Sequence, residues 1–201
     1  MSTQSSDMRI FSCSPRRGGN TDAATEILAE VLKASGAAAE LVSLRDYKTL
    51  PCLGCNYCAV PGNPCVLAAR DDCACLLGSL LTAKAVFWLA PIYFYHLPAQ
   101  SKGLIDRAQY YWYLRRKETP EIMALPPRKA HVLLIAARSR GENLFQGSLA
   151  TLRYFFEPFN VTLGETLLMT GLEGPLDLSN SEEVRAKVVA WAKTTLERQE
   201  S

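Results

Sequence analysis

The chain is poor in the residues that most enzymes use for proton transfer. It has only two histidines in 201 residues, His96 and His131, and no Ser/His/Asp arrangement is evident. Neither sign of charge dominates. With 22 Lys and Arg against 20 Asp and Glu the net charge is +2, and no basic run or arm suggests nucleic acid as a partner. No long hydrophobic run is present. The longest apolar stretch, from Ala83 to Leu97, is interrupted by Lys84, Pro91 and His96 and is too short to span a bilayer. Residues 1–7 are polar and lack the apolar core of an export signal, so a cytoplasmic protein away from membranes is expected. There is no internal repeat, low-complexity stretch or interdomain linker. One domain over residues 1–201 is therefore predicted, with a flexible tail at 1–7.

Apolar residues are plentiful at 48%, ample for a core, and they fall into an alternating order. Strand-like runs occupy 8–13, 39–44, 85–90, 131–137 and 161–168. Helical periodicity occupies 21–35, about 72–82, 99–114, about 143–157 and 181–198, with Ser179 and Glu182 suited to a capping box for the last helix. Alternation of this kind predicts a parallel sheet with helices on both faces. Val86-Phe87-Trp88-Leu89-Ala90 and Val132-Leu133-Leu134-Ile135-Ala136 are continuously apolar, as strands buried on both faces should be. Five such strands suggest the order 2-1-3-4-5, which puts ligands beyond the carboxyl ends of the strands. The segment 49–71 breaks the alternation as an insertion after the second strand.

Three loops then meet at one rim. The first, Ser12-Cys13-Ser14-Pro15-Arg16-Arg17-Gly18-Gly19-Asn20-Thr21, joins the first strand to the first helix. It lacks the Gly-Lys-Ser/Thr ending of a nucleoside-triphosphatase loop and the G-x-G-x-x-G of a dinucleotide fold. Its hydroxyls, its glycines and the helix N-terminus behind it still make an anion cradle. Ser12, Ser14 and Thr21 offer donors, Asn20 or Thr21 a helix cap, and Arg16 or Arg17 charge. Taken alone, the loop is also compatible with an ordinary turn. The second loop, Pro91-Ile92-Tyr93-Phe94-Tyr95-His96, is aromatic. The third, Ala137-Arg138-Ser139-Arg140-Gly141-Glu142-Asn143, is polar. A phosphate site, an aromatic wall and a polar loop together fit a mononucleotide with a planar head, and an isoalloxazine fits that description. His131 and Cys13 read as structural residues. Tyr110-Tyr111-Trp112-Tyr113 reads as an oligomer contact, with core packing as the alternative.

The stretch Ser14-Pro15-Arg16-Arg17-Gly18-Gly19-Asn20-Thr21 resembles the FMN-phosphate loop of the NADPH-dependent FMN reductase branch of the flavodoxin-like flavoproteins. Pro91-Ile92-Tyr93-Phe94 followed by Gln100-Ser101-Lys102-Gly103-Leu104-Ile105-Asp106-Arg107 is similar to that family's second flavin loop and the helix after it, and Asp71-Asp72 also matches. The resemblance implies a flavodoxin-like three-layer sandwich with FMN at the rim. It implies cofactor contacts from Ser12, Ser14, Arg16, Arg17, Gly19, Asn20, Thr21, Pro91, Ile92, Tyr93, Phe94, Ala137, Arg138, Ser139 and Gly141. The implied activity is NAD(P)H-dependent reduction of a quinone, another small acceptor or a redox protein through FMN, by a homodimer or homotetramer. No side chain need act as a proton-transfer catalyst.

Seven cysteines in a chain read as cytoplasmic point to metal or redox chemistry and not to a disulfide scaffold. Four of them, Cys52, Cys55, Cys58 and Cys65, follow a C-x2-C-x2-C-x6-C spacing. Compact runs of this kind ligate iron–sulfur clusters, whereas zinc more often takes two separated C-x2-C pairs. The spacing is similar to that of the archaeal-type iron–sulfur flavoproteins, which implies a 4Fe–4S cluster on these four cysteines and an electron carrier serving ferredoxin-like partners. Free thiols, or a thiol- or zinc-based redox sensor, are the alternatives. Cys73 and Cys75 read as packing residues of the following helix.

Overall fold

The structure, a computed structural model, describes residues 8–198; the tail expected at 1–7 lies outside them. Five parallel strands form one sheet: β1 (Met8–Ser12), β2 (Ala39–Ser43), β3 (Ala85–Pro91), β4 (Arg128–Ile135) and β5 (Val161–Met169). Their order is β2-β1-β3-β4-β5, the flavodoxin-like order expected. The helices are α1 (Asn20–Ala34), α2 (Cys73–Thr82), α3 (Ala99–Arg107), α4 (Gln109–Arg116), α5 (Pro120–Met123), α6 (Gln146–Phe156), α7 (Asp177–Asn180) and α8 (Glu182–Glu197). None is long and apolar enough to cross a membrane.

The continuous apolar runs have a direct cause. Successive strand residues point to opposite faces, so a strand covered on both sides has no polar position. Ile10, Phe87, Leu89 and Leu133 face α1 and α8, where they pack with Leu28, Val188 and Trp191. Their neighbours Phe11, Trp88, Val132 and Leu134 face α2, α3 and α6, where they pack with Leu76, Leu104 and Phe156. Phe11 and Trp88 are partners in the β1–β3 register and stack with ring centroids 5.3 Å apart. Phe155 and Phe156 close on Trp88 edge-on from α6, at 5.5 and 5.9 Å.

Some local features differ from the sequence expectations. The expected helix 99–114 is two helices that turn at Ala108, whose N–H bonds back only three residues to Ile105. Arg107 just before the turn is held by contacts described below, and Tyr111 just after it packs on Phe159 at 4.8 Å. A good helix former such as alanine gives no sign of this break. α8 is capped by Ser181, whose hydroxyl accepts from Val184 N–H, and not by the Ser179/Glu182 box, because Ser179 lies inside the short α7. β4 begins at Arg128, three residues earlier than expected. The Arg128 guanidinium is buried. It donates to Leu80, Leu81 and Ala83 carbonyls at 2.7, 3.1 and 2.8 Å, and to the Phe159 carbonyl. It thereby satisfies carbonyls at the end of α2 that would otherwise be orphaned.

His131 is structural, as expected, and the reason lies in the sheet. The β4–β5 register slips between Ala130 and Val132. His131 Nδ1 accepts the Glu165 backbone N–H at 3.0 Å at this irregularity. A Cβ on the adjacent Gly164 would lie 2.8 Å from the imidazole, so glycine is needed there for the close approach. Burial, helped by Lys129, pushes the His131 pKa down from 6.5 to about 4.

Two outcomes follow. Arg128→Met is expected to destabilise the chain by about 3 kcal/mol in urea unfolding, because several buried carbonyls lose their donor. The second concerns pH. Unfolded chains take up the His131 proton from about pH 6.5 downward while the folded state resists it to about pH 4. Stability should therefore fall as pH drops through that window, by a total on the order of 3 kcal/mol. In the His131→Gln variant the fall should be reduced by that amount, measured by urea unfolding at several pH values.

Candidate functional site

The carboxyl ends of β1, β3 and β4 deliver the three loops to one rim. In the first loop, Ser14, Arg16, Asn20 and Thr21 line a cavity of about 140 Å³ together with Pro91, Ile92, Tyr93, Ala137 and Glu173. α1 starts here, with Gly19 as its N-cap residue and no side-chain cap. The expected capping role of Asn20 or Thr21 is therefore not realised. Asn20 instead donates to the Leu172 and Gly174 carbonyls and accepts from Leu178 N–H, tying the loop to the segment after β5. The uncapped first-turn N–H groups are what an anion at a helix N-terminus requires.

The two arginines divide. Arg16 lines the cavity and lies over Gly19, where a Cβ would meet its guanidinium at 3.1 Å. Arg17 turns away and pairs with Asp46. Ser12 is buried beneath the loop, with its hydroxyl directed to Asp22 at 3.5 Å, and does not line the cavity. Cys13 is buried in the core, where loss of water pushes its thiol pKa far up.

Residues that the sequence reading missed hold this loop in shape. Arg45, just after β2, donates to the Ser14 carbonyl at 3.2 Å and pairs with Asp22 at 2.8 Å. Asp22 in turn accepts from Gly18 N–H at 2.8 Å, and Gly18 has a positive φ of 66°. Arg45 and Asp22 are far apart in sequence, and both read as ordinary surface charge.

The second loop is a tight hairpin. Tyr93 and His96 exchange backbone hydrogen bonds of 2.8 and 3.0 Å. The two residues between them, Phe94 and Tyr95, have φ of 49° and 64°. That is a type I′ turn, a place where Asn-Gly is usual. Two aromatic residues in the left-handed region cost on the order of 1–3 kcal/mol each. The turn is retained by side-chain ties. Arg138 donates to the Tyr95 hydroxyl at 3.0 Å, and His96 meets Thr151 of α6 at 3.1 Å. Gly141 sits under Tyr95, where a Cβ would come within 2.6 Å of the hydroxyl. A cavity of about 350 Å³ lies here, lined by Ile92, Phe94, Tyr95, Ala136, Ala137, Arg138 and Leu144. It shares Ile92 and Ala137 with the anion cavity. Phe94 is fully exposed, and Ser139 lines neither cavity but lies against Gly171.

The cysteine insertion forms a third feature. Cys52, Cys55, Cys58 and Cys65 all line one cavity of about 340 Å³, walled on the far side by Asp106, Gln109 and Tyr113. Gly54, Asn56 and Gly62 have positive φ and let the loop curl around it. Tyr113 donates to the Asn56 side chain at 3.3 Å, and Lys117 reaches the Ala59 carbonyl. Burial pushes the Cys58 thiol pKa up, and charge on Cys65, Cys52 and Cys55 beside it adds to the rise, as expected where four thiols converge. Among the described residues, no three Cys, His, Asp or Glu side chains are close enough to hold a metal ion. The chemistry of the donor set, four thiols around one cavity, is of the kind that iron–sulfur clusters use. Of the two helix cysteines, Cys73 is buried as expected and Cys75 is exposed, so packing does not account for Cys75.

The family model for NADPH-dependent FMN reductases matches residues 7–141. The chain belongs to this family. Among its relatives are iron–sulfur flavoproteins. One from Methanocaldococcus jannaschii is 33% identical over 99 residues, 49% of this chain and 50% of the relative. One from Methanosarcina thermophila is 32% identical over 107 residues, 53% of each. The chain thus spans about half the length of the curated relatives it matches. Among solved structures, an NAD(P)H:quinone oxidoreductase from Methanothermobacter marburgensis superposes with a TM-score of 0.72 at 19% identity, covering 94% of each chain. An FMN-dependent NADH-azoreductase from Bacillus anthracis, in complex with FMN, superposes with a TM-score of 0.64 at 12% identity, covering 94% of this chain and 98% of that one. Both share the fold.

The residues of this rim fit FMN chemically: an uncapped helix end beside Arg16 suits a phosphate, and an adjoining aromatic cavity suits a ring. Arg16→Ala is expected to weaken FMN binding by about tenfold to a hundredfold, through loss of a charge-assisted hydrogen bond. Arg17→Ala should change it by less than about twofold, because an exposed ion pair contributes little. Arg45→Met should cost about tenfold, the loop losing a carbonyl tether. Flavin fluorescence titration of the apoprotein checks all three.

Proposed function

We propose that this protein is an FMN-dependent oxidoreductase that takes a hydride from NAD(P)H and delivers electrons to a quinone or another small acceptor. The observation that carries the reading is that the anion cavity and the aromatic cavity lie side by side, sharing Ile92 and Ala137 in their walls. A phosphate and a planar ring, linked by a short chain, need that arrangement. FMN when bound supplies the hydride and electron chemistry. The protein's part is to bind, orient and shield. Ser14, Arg16 and the first-turn N–H groups of α1 hold the phosphate. Ile92, Phe94 and Tyr95 flank the ring, and Arg138 offers a positive charge at its edge. Asn20, Thr21, Pro91, Tyr93 and Ala137 complete the walls, Gly19 makes room for the Arg16 guanidinium, and Gly141 makes room for Tyr95. The nearness of an arginine favours added electron density on a ring beside it.

A second reading is favoured by the convergence of four thiols on one cavity. In it Cys52, Cys55, Cys58 and Cys65 ligate a 4Fe–4S cluster, and the chain is an electron carrier handing single electrons to a ferredoxin-like protein. The choice between these readings is the acceptor: a small molecule in the first, a protein in the second. We read residues 1–201 as one domain acting in the cytoplasm as a homodimer or homotetramer.

Anaerobic purification followed by an absorption spectrum with iron, sulfide and flavin assays is the deciding experiment. A flavin spectrum is expected on both readings, and the second adds about four iron and four sulfide per chain, as four Cys thiolates require for a cubane. Steady NADPH oxidation with a quinone supports the first reading. Its absence, with rapid reduction by ferredoxin, supports the second. A colourless preparation that also fails to bind added FMN overturns both.

A further inference from the structure

Arg107 and Asp71 form an ion pair whose side chains are 2% and 0% exposed. The pair closes the base of the cysteine insertion. Asp71 accepts from Leu50 N–H at 2.8 Å and from Cys73 N–H at 3.3 Å, and receives both Arg107 terminal nitrogens. Arg107 also donates to the Leu50 carbonyl at 3.1 Å. Leu50 and Asp71 are the two ends of the insertion, and one side chain from α3 holds both. Asp72 adds a second tie, accepting from Lys48 N–H at 2.7 Å.

The same arginine lies beside the thiols. Arg107, Cys65 and Cys73 line one small cavity of about 90 Å³ with Tyr110 and Tyr111. Cys65 is also a wall of the four-cysteine cavity, so it stands between Arg107 and the proposed cluster. Arg107 Nε is buried without a hydrogen-bond partner. Burial alone would raise the Asp71 pKa, but Arg107, the Leu50 N–H and the Cys73 side chain bring it below the usual carboxylate range, so the pair is ionised. A charge in this position is poorly screened by solvent salt.

Resting on the reading that the four cysteines hold an iron–sulfur cluster, we propose that Arg107 is a positioning residue for that group. It clamps both ends of the insertion to the flavin-binding fold, and it sets the reduction potential through the buried positive charge it holds next to Cys65. Charge near a cluster is one of the levers on its potential. A cation there favours the state that carries the extra electron.

The test uses the full chain, purified anaerobically, as wild type, Arg107→Met, Arg107→Lys and Asp71→Asn. Redox titration followed by electron paramagnetic resonance is expected to show Arg107→Met shifted to more negative potential. Asp71→Asn should shift to more positive potential, and Arg107→Lys should stay near wild type. A purely structural role would move Arg107→Met and Asp71→Asn in the same direction, because both break the same pair. Equal signs, or no shift in a cluster-bearing protein, overturn the charge role and leave the cluster reading intact. Wild type without iron overturns that reading and the charge role together. The clamp is read separately by hydrogen exchange over residues 50–72 in the metal-free chain. At least tenfold faster exchange in Arg107→Met and Asp71→Asn is expected, and unchanged exchange overturns the clamp. If Arg107→Met does not fold, Asp71→Asn and Arg107→Lys decide both points: the charge role requires a positive shift in the first and none in the second.

Discussion

The three loops of the flavin-binding rim hang from strands without a solvent face. Trp88 and Phe87 are neighbours on β3, fully buried on opposite sides of the sheet, one against α6 and the other against α8. Burying both faces of β1, β3 and β4 removes the freedom of these strands to slip, because a shift by one residue would exchange the two cores. The carboxyl ends of those strands are therefore fixed relative to one another. The phosphate loop, the aromatic hairpin and the polar loop inherit that fixed spacing. A rim assembled in this way can hold a phosphate and a ring at a set distance even though the loops themselves are exposed.

The rest of the site depends on a second layer of ties, made by charged side chains reaching across elements. Arg45 comes from beyond β2 to hold the phosphate loop by its carbonyls and by Asp22. Arg138 holds the strained Phe94–Tyr95 turn through the tyrosine hydroxyl. Arg107 holds both ends of the cysteine insertion. Arg45 and Arg107 each satisfy several acceptors at once, which suits arginine better than lysine. The cysteine insertion differs from the rim loops in being tied to α3 and α4.

Much of the architecture was legible before folding. The strand order followed from alternating apolar segments, and the two-sided burial of β3 and β4 followed from runs with no polar position. The motif around Ser14 to Thr21, with Pro91 to Phe94, marked the rim, and the cysteine spacing marked the insertion. Particular contacts were not legible. Asn20 reads as a cap but serves carbonyls more than 150 residues away. Arg16 and Arg17 are indistinguishable in sequence, and only the presence of Asp46 beside one of them separates their roles. The break at Ala108 leaves no local trace: it falls between Arg107, bonded to a distant loop, and Tyr111, packed on Phe159.

What the sequence determined by itself is whatever depends on spacing along the chain: the period of its strands and helices, the family to which its loops belong, and the set of four thiols close enough in order to line one cavity. Only the tertiary structure decided which charged groups face which. Ion pairs such as Asp71–Arg107 and Asp22–Arg45 join residues 36 and 23 positions apart. Their partners are chosen by which helix end and loop the sheet brings within hydrogen-bond reach. Charged side chains look alike on paper, and burial is what turns two of them into a clamp.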